Sequence, residues 1–283
     1  MHRAFVLSLF VAAVTIGCKP GAERIAFPVR PKHYQTVASL SPGSTEVLAS
    51  MAYAVKLVGR TAACNYPPSA ATAEVVAQVK PDYEKIKSLN PGLVVYDASI
   101  YNDQDIAQIK ALGIDTFEFK ADTVDQYSDE IRKLGALAGV EMEASTYADK
   151  MLQERKAAAA ETLSTVPKVA LILPGKSGEH YIAGIKSFHA DVIRASGGEP
   201  VGPDVNRYVP INAEALIKLN PDMIVTAGEP NALTSDPRLK SLPAIAKLRV
   251  RGIPQDLATR KGFRVEKEIN MMHRSIMDMA GSK

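Results

Sequence analysis

Tryptophan is absent from this chain, and cysteine occurs only twice, at Cys18 and Cys64. Any flat aromatic surface for a ligand must therefore come from the ten tyrosines and seven phenylalanines. Two cysteines cannot build a disulfide framework. Charge of either sign is not in excess either: 34 Lys and Arg face 31 Asp and Glu, a net of +3, and no basic run stands out. That balance argues against nucleic acid as a partner. Two enzyme signatures are missing as well. LPGKSGEH (Leu173–His180) carries Gly-Lys-Ser after an apolar run, but a phosphate-binding loop needs Gly five residues before Gly175, where Ala170 stands. Ser39, Ser41 and Ser44 cluster, yet no Gly-x-Ser-x-Gly elbow is present, and spacing singles out no His/Asp partner. These absences point away from catalysis, and the chain is read as no enzyme.

The composition, 46% hydrophobic and 23% charged over 283 residues, is that of a soluble globular protein of one large or two ordinary domains. Its N-terminus is different. Met1-His2-Arg3 is followed by AFVLSLFVAAVTI (Ala4–Ile16), an apolar run too short to span a bilayer but suited to the core of a signal peptide. Thr15-Ile16-Gly17-Cys18 resembles a bacterial lipobox, with Thr15 where Leu is preferred. Residues 1–17 are thus expected to be a lipoprotein signal peptide, Cys18 the lipidated residue, and 18–35 a tether with scattered charges and prolines. Lipidation leaves Cys64 without a partner. The competing arrangement is a plain signal peptide, or a Cys18–Cys64 bridge.

From Thr36 onward, short apolar strands alternate with amphipathic helices, the pattern of a parallel sheet with helices on its faces. TVASL (Thr36–Leu40) reads as a strand, with Ser44 as the cap of the helix that follows. The region from Glu141 to Val166 has no Gly or Pro and keeps helical apolar spacing, which predicts a helix of ~39 Å joining two lobes. After Pro167 the alternation resumes. A repeat supports the two-lobe reading: EKIKSLNPGLVV (Glu84–Val95) and EALIKLNPDMIV (Glu214–Val225) share five of twelve positions, and three more exchange one aliphatic residue for another. Each copy has a capping residue (Asp82, Asn212), a Glu two positions on, a short helix, Asn-Pro and a strand. The expected organisation is α/β, two Rossmann-like lobes with parallel sheets (36–140 and 167–283), linked by one helix over 141–166.

In this arrangement the chain resembles the solute-binding lipoproteins of bacterial ABC importers for iron complexes and cobalamin. The motifs that carry the likeness are ASLSPGSTEVL (Ala38–Leu48), CNYPP (Cys64–Pro68), both E…LNP phrases, HADVIRASGGE (His189–Glu199) and LATRKGFRV (Leu257–Val265). The resemblance implies a monomeric, exported, membrane-anchored receptor that binds its cargo between the lobes and performs no chemistry on it. It implies a ferric siderophore, cobalamin or haem as cargo, with no further cofactor. It also gives the paired glutamates a role: Glu84 and Glu214, one per lobe, would dock on arginines of a two-fold symmetric permease. Loops leaving the carboxyl ends of the strands offer Ser41, Arg60, Tyr66, Tyr101, His180, Tyr181, Arg207 and Tyr208 as ligand-binding candidates. Tyr66 leads, because CNYPP matches a loop that reaches the cleft in that family. Lys176 and Glu229 lie in the same loops.

Two other functions compete. A receptor for bare metal ions would need about three His with carboxylate help. Of the five His, His2 leaves with the signal peptide and His33 lies in the tether, while His189 and His273 fall in helices as packing or surface residues. His180 with nearby tyrosines keeps direct iron binding open. The other alternative is an envelope scaffold lipoprotein that binds no small molecule.

Overall fold

Each copy of the repeated phrase folds in the same way, for the same local reasons. In a computed structural model that describes residues 32–51, 55–161, 163–175 and 178–281, the first copy forms helix α2 (Tyr83–Leu89) and strand β4 (Leu93–Asp97). The second forms α7 (Ala213–Leu219) and β10 (Met223–Ala227). Asp82 accepts from Lys85 N at 3.0 Å and Asn212 from Ala215 N at 2.8 Å, so each helix is capped as expected. Asn90 and Asn220 both stop their helices in the left-handed region, at φ 44°. The proline that follows sets the chain extended into the strand. Both strands are buried along their whole length, as strands covered on both faces must be.

The first sheet also contains β1 (Thr36–Ser39), β2 (Lys56–Thr61), β3 (Glu74–Ala77) and β5 (Asp115–Phe119), in the order β3-β2-β1-β4-β5, all parallel. Helix α1 (Pro42–Met51) and α3 (Asp103–Ala111) complete its connections, and α4 (Val124–Ala138) follows β5. The second sheet has β6 (Lys168–Leu173), β7 (His180–Ala183), β8 (Glu199–Pro200), β9 (Tyr208–Ile211) and β11 (Val250–Ile253), ordered β11-β10-β6-β7-β9 with β8 beside β6. Strands β6 and β10 are parallel, as expected, and β8 and β11 join them in parallel. Strands β7 and β9 are antiparallel. The reason is local: only residues 174–179 separate β6 from β7, and a parallel return needs a crossover of a dozen residues or more.

Four expectations need correction. The helix that links the sheets is α5 (Glu141–Ala160), not 141–166, so it is ~30 Å long. The remainder, with Thr, Ser and Val before Pro167, is poor helix material. The tether ends earlier than residue 35: Tyr34 is buried and bonds Asp115 Oδ2 at 2.7 Å, Lys32 pairs with the same carboxylate, and His33 lies 3.3 Å from Glu141. Helix α1 begins at Pro42, and its cap is Ser41, whose Oγ accepts from Ser44 N at 3.2 Å. Ser44 therefore lies inside the first turn. Finally, strands β3, β7, β8, β9 and β11 have no counterpart in the expected pattern. The signal peptide, Cys18 and Lys176 lie outside the described residues. Among those residues, no helix is long and apolar enough to cross a membrane.

Residues Lys32–Lys283 form one compact unit, and the core shows why. A single apolar cluster runs from Val37, Leu93 and Val95 of the first sheet through Tyr127 and Leu134 of α4 to Tyr147 and Met151 of α5. It continues into Phe188 and Val192 of α6 (Phe188–Ala195) and Val265 and Ile269 of α11 (Val265–Gly281). The halves thus share a core instead of meeting across a thin hinge, which restricts their relative motion.

Buried tyrosines make this core sensitive to alkali. Burial pushes Tyr101 up to about 12, and Tyr127, Tyr147 and Tyr208 well above the usual phenol value. A phenol raised in the folded state favours folding below its unfolded pKa of about 10, and that contribution is lost as pH rises toward and past 12. Stability should therefore fall steeply above pH ~10. Near-ultraviolet tyrosinate absorbance should show these four tyrosines ionising only on unfolding; smooth titration of all ten in the native protein would contradict the packing.

Candidate functional site

A cavity of about 470 Å³ lies between the two sheets. Its first wall comes from the carboxyl ends of strands in the first lobe: Ser41–Gly43 after β1, and Asp97, Ser99 and Ile100 at the end of β4. Its second wall is Ser187–His189 at the start of α6, Asn206–Tyr208 entering β9, and Thr259–Lys261 after α10 (Gln255–Thr259). Loops at carboxyl strand ends, facing each other across a cleft, are where open α/β sheets place ligands. A second recess of about 700 Å³ lies along α4, α5 and α6, where Arg155 is paired with Asp125 at 2.8 Å.

The segment Asp256–Arg264 holds the cleft together. It belongs to the second lobe but bonds the first. Arg264 makes a two-pronged pair with Glu46 of α1 (Nε–Oε1 2.6 Å, Nη2–Oε2 2.9 Å) and a bond to Asp256 at 2.5 Å. Glu46 is fully buried, and its carboxylate keeps the Arg264 guanidinium firmly protonated. Arg260 donates to Asn65 Oδ1 at 2.7 Å, and Lys261 reaches Asp97 at 3.2 Å. Glycine makes this approach feasible: a Cβ on Gly43 would lie 2.7 Å from Lys261 O, and one on Gly262 would lie 2.6 Å from Glu46 Cδ.

At the base of the second wall, His189 donates to or accepts from Glu268 through Nδ1 at 2.9 Å. Aromatic contacts lead to it from the core: Phe119–Tyr127, Tyr127–Phe188 and Phe188–His189 centroids are 5.5, 5.4 and 5.3 Å apart. The Tyr208 ring stands 6.0 Å from His189, and its hydroxyl donates to Ala258 O at 2.6 Å. Burial pushes the Glu268 carboxyl above its usual range, against the pull of His189.

Of the eight residues expected to touch a ligand, the structure brings Ser41, Arg207 and Tyr208 into this cavity. The others stand elsewhere. Arg60 donates to the carbonyls of Ala73, Thr61 and Cys64, and so shapes the CNYPP loop. Tyr66 lies under Arg264, with the guanidinium carbon 3.9 Å from the ring centroid. Tyr101 is buried in the core beside α2 and α3. His180 is buried, 3.8 Å from Asp236, on the face of the second sheet away from α6. Its neighbour Tyr181 is 39% exposed. Cys64 is a buried free thiol between Thr45 and Thr61. Asp97, His189, Arg260 and Lys261 were not anticipated. His189, Arg260 and Lys261 lie inside quoted motifs, but their contacts are to residues remote in sequence. Glu84 and Glu214 are both exposed, in the first turns of α2 and α7. Among the described residues neither has a hydrogen-bond or ion-pair partner.

Comparison with known proteins agrees with this architecture. The periplasmic binding protein family model matches residues 37–257, and the chain belongs to that family. It is 27% identical over 253 residues to an uncharacterized ABC transporter substrate-binding lipoprotein, YvrC, of Bacillus subtilis (strain 168), covering 87% of this chain and 81% of that one. It is 28% identical over 211 residues to the vitamin B12-binding protein of Salmonella typhi, covering 74% and 78%. Among solved structures it is similar to the periplasmic haem-binding protein BhuT in complex with two haems, with a TM-score of 0.76 at 22% identity, covering 87% and 99%. The fold is therefore that of an extracytoplasmic solute receptor.

Proposed function

We propose that this protein captures an iron complex or a cobalamin-type ligand in the cavity between its lobes and delivers it to the permease of an ABC importer. The cavity carries the reading: about 470 Å³, at carboxyl strand ends, with Arg207, Arg260 and Lys261 beside Tyr208. Cations there suit carboxylates or an anionic chelate, and Tyr208 adds an aromatic wall. The similarity to a B12-binding protein and to a haem-binding fold supports a macrocyclic or chelated cargo. Lipidation at Cys18 would keep the receptor at the membrane, a reading supported by the likeness to a lipoprotein. Glu84 and Glu214, exposed and unpaired, would meet permease arginines. The shared core limits the lobes to modest hinging during capture and release.

A thermal-shift panel with haem, cobalamin and ferric siderophores tests the reading. A cargo at 100 times its Kd adds ~2.7 kcal/mol to the folded state. In a chain of this size that raises Tm by about 5–10 °C. No shift with any member of the panel would favour the scaffold alternative.

A further inference from the structure

The recess of about 700 Å³ along α4, α5 and α6 takes no part in the cavity between the sheets, yet it shares two walls with it. Just before α4, Asp122 lines the cavity, while Thr123 and Asp125 line the recess. On α6, Phe188 and His189 line the cavity, while Asp191, Arg194 and Ala195 line the recess. Where these segments meet, Asp191 Oδ2 accepts from Val124 N at 2.8 Å, a bond from the second lobe to the first.

The lining residues form helix faces. Leu152, Arg155, Lys156 and Ala159 stand at i, i+3, i+4 and i+7 of α5, beside the stripe that packs into the core. Asp191, Arg194 and Ala195 repeat the first three of these steps on α6. Half-buried Leu152 and the small Ala159 and Ala195 give the recess an apolar floor. Three cations rim it, and they are poorly neutralised. Lys156 is exposed and has no hydrogen-bond or ion-pair partner among the described residues. Arg155 meets Asp125 through one nitrogen, in a pair too exposed to add much to stability. Arg194 stands 3.8 Å from Asp191, beyond hydrogen-bond length, and donates to Ile185 O at 2.8 Å instead. Asp191 already serves Val124 N.

From this apolar floor and cationic rim, we propose that the recess is a second binding site, for an amphipathic organic anion. A compact apolar body would rest on Leu152, Ala159 and Ala195, and one or two acid groups would be taken by Arg155, Lys156 and Arg194. The volume lies within the range of small-molecule sites. Such an occupant touches both lobes and the helix that links them. It therefore stiffens the joint at the Val124–Asp191 bond, and it is coupled to the cavity through the walls the two sites share. The site does not depend on what the cavity captures.

The test uses anilinonaphthalene sulfonate, an aromatic body with one sulfonate, titrated by fluorescence into the purified protein. The wild type should bind one equivalent. The double variant Arg155→Gln with Lys156→Gln, and separately Arg194→Gln, should weaken binding about tenfold or more. Ala159→Glu sets a carboxylate on the floor and should abolish it. Lys133→Gln, at an exposed cation elsewhere on α4, should stay within about twofold of wild type. Melting temperatures of all these variants should stay within about 4 °C of wild type, because the contacts removed are exposed. Amide hydrogen exchange at Val124 and in α6 should slow about fivefold or more under saturating probe. Probe binding unchanged in all the recess variants would overturn the site. So would binding lost in Arg207→Gln but kept in the recess variants, since the probe would then occupy the cavity. Binding that follows the recess variants while exchange at Val124 stays unchanged would refute the coupling across the joint.

Discussion

Arg264→Ala should destabilise the protein by about 3–5 kcal/mol, the largest effect expected of any single substitution here. The side chain is 14% exposed and its partner Glu46 only 1%. Removing the guanidinium leaves Glu46 charged in a site closed to water, with Asp256 close by. The cost arises mostly from that stranded carboxylate, not from the intrinsic strength of the pair. At ~2–4 °C per kcal/mol for a domain of this size, Tm should fall by about 6–20 °C. The double variant Arg264→Met with Glu46→Leu separates the two origins, because it removes the charge as well as its partner. It should recover a good part of the loss. A single variant that costs under about 1 kcal/mol would mean that the pair behaves as an exposed one. Ligand affinity should fall too, since the same segment carries Arg260 and Lys261 into the cavity.

How far sequence reading reached depends on the range of the interaction concerned. The repeated phrase was legible in full because everything that shapes it is local: a cap three residues from its donor, a left-handed Asn, a following proline and a doubly covered strand. Strands such as β8 and β9 were not, because two to four residues, one of them proline, carry no periodicity of their own. Pairing with β6 and β7 makes them strands. Helix α5 was legible in its buried stripe but not at its end, where weak helix formers alone decide. The site was least legible. Glu46 and Arg264 stand 218 residues apart, and His189 meets Glu268 across 79; nothing in either local stretch announces the partner. Tyr66 illustrates the converse. Its loop does approach the cleft, but the ring is covered by an arginine that no local pattern could place there.

The paired glutamates give the sharpest functional expectation. Replacing both Glu84 and Glu214 by Ala should abolish uptake while leaving cargo affinity and fold intact. Stability changes little because both carboxylates are exposed and unpaired. Each contributes only ~0.3–1 kcal/mol, through the positive end of a helix dipole. Docking is another matter. A charge-assisted bond to an arginine is worth ~1.5–3 kcal/mol, so losing one on each lobe weakens receptor–permease association by about two to four decades. Each single variant should lose roughly half of that free energy, because the two sites lie in separate copies of the same element and share no partner. Conversely, charge reversal to Lys should be worse than Ala, since it sets like charges against each other at the interface. Uptake assays in cells lacking the native receptor, run beside cargo binding and Tm on the purified variants, distinguish docking from folding. Uptake at wild-type rates by the double Ala variant would show that the glutamates only support their helices, and the repeat would then reflect fold geometry alone.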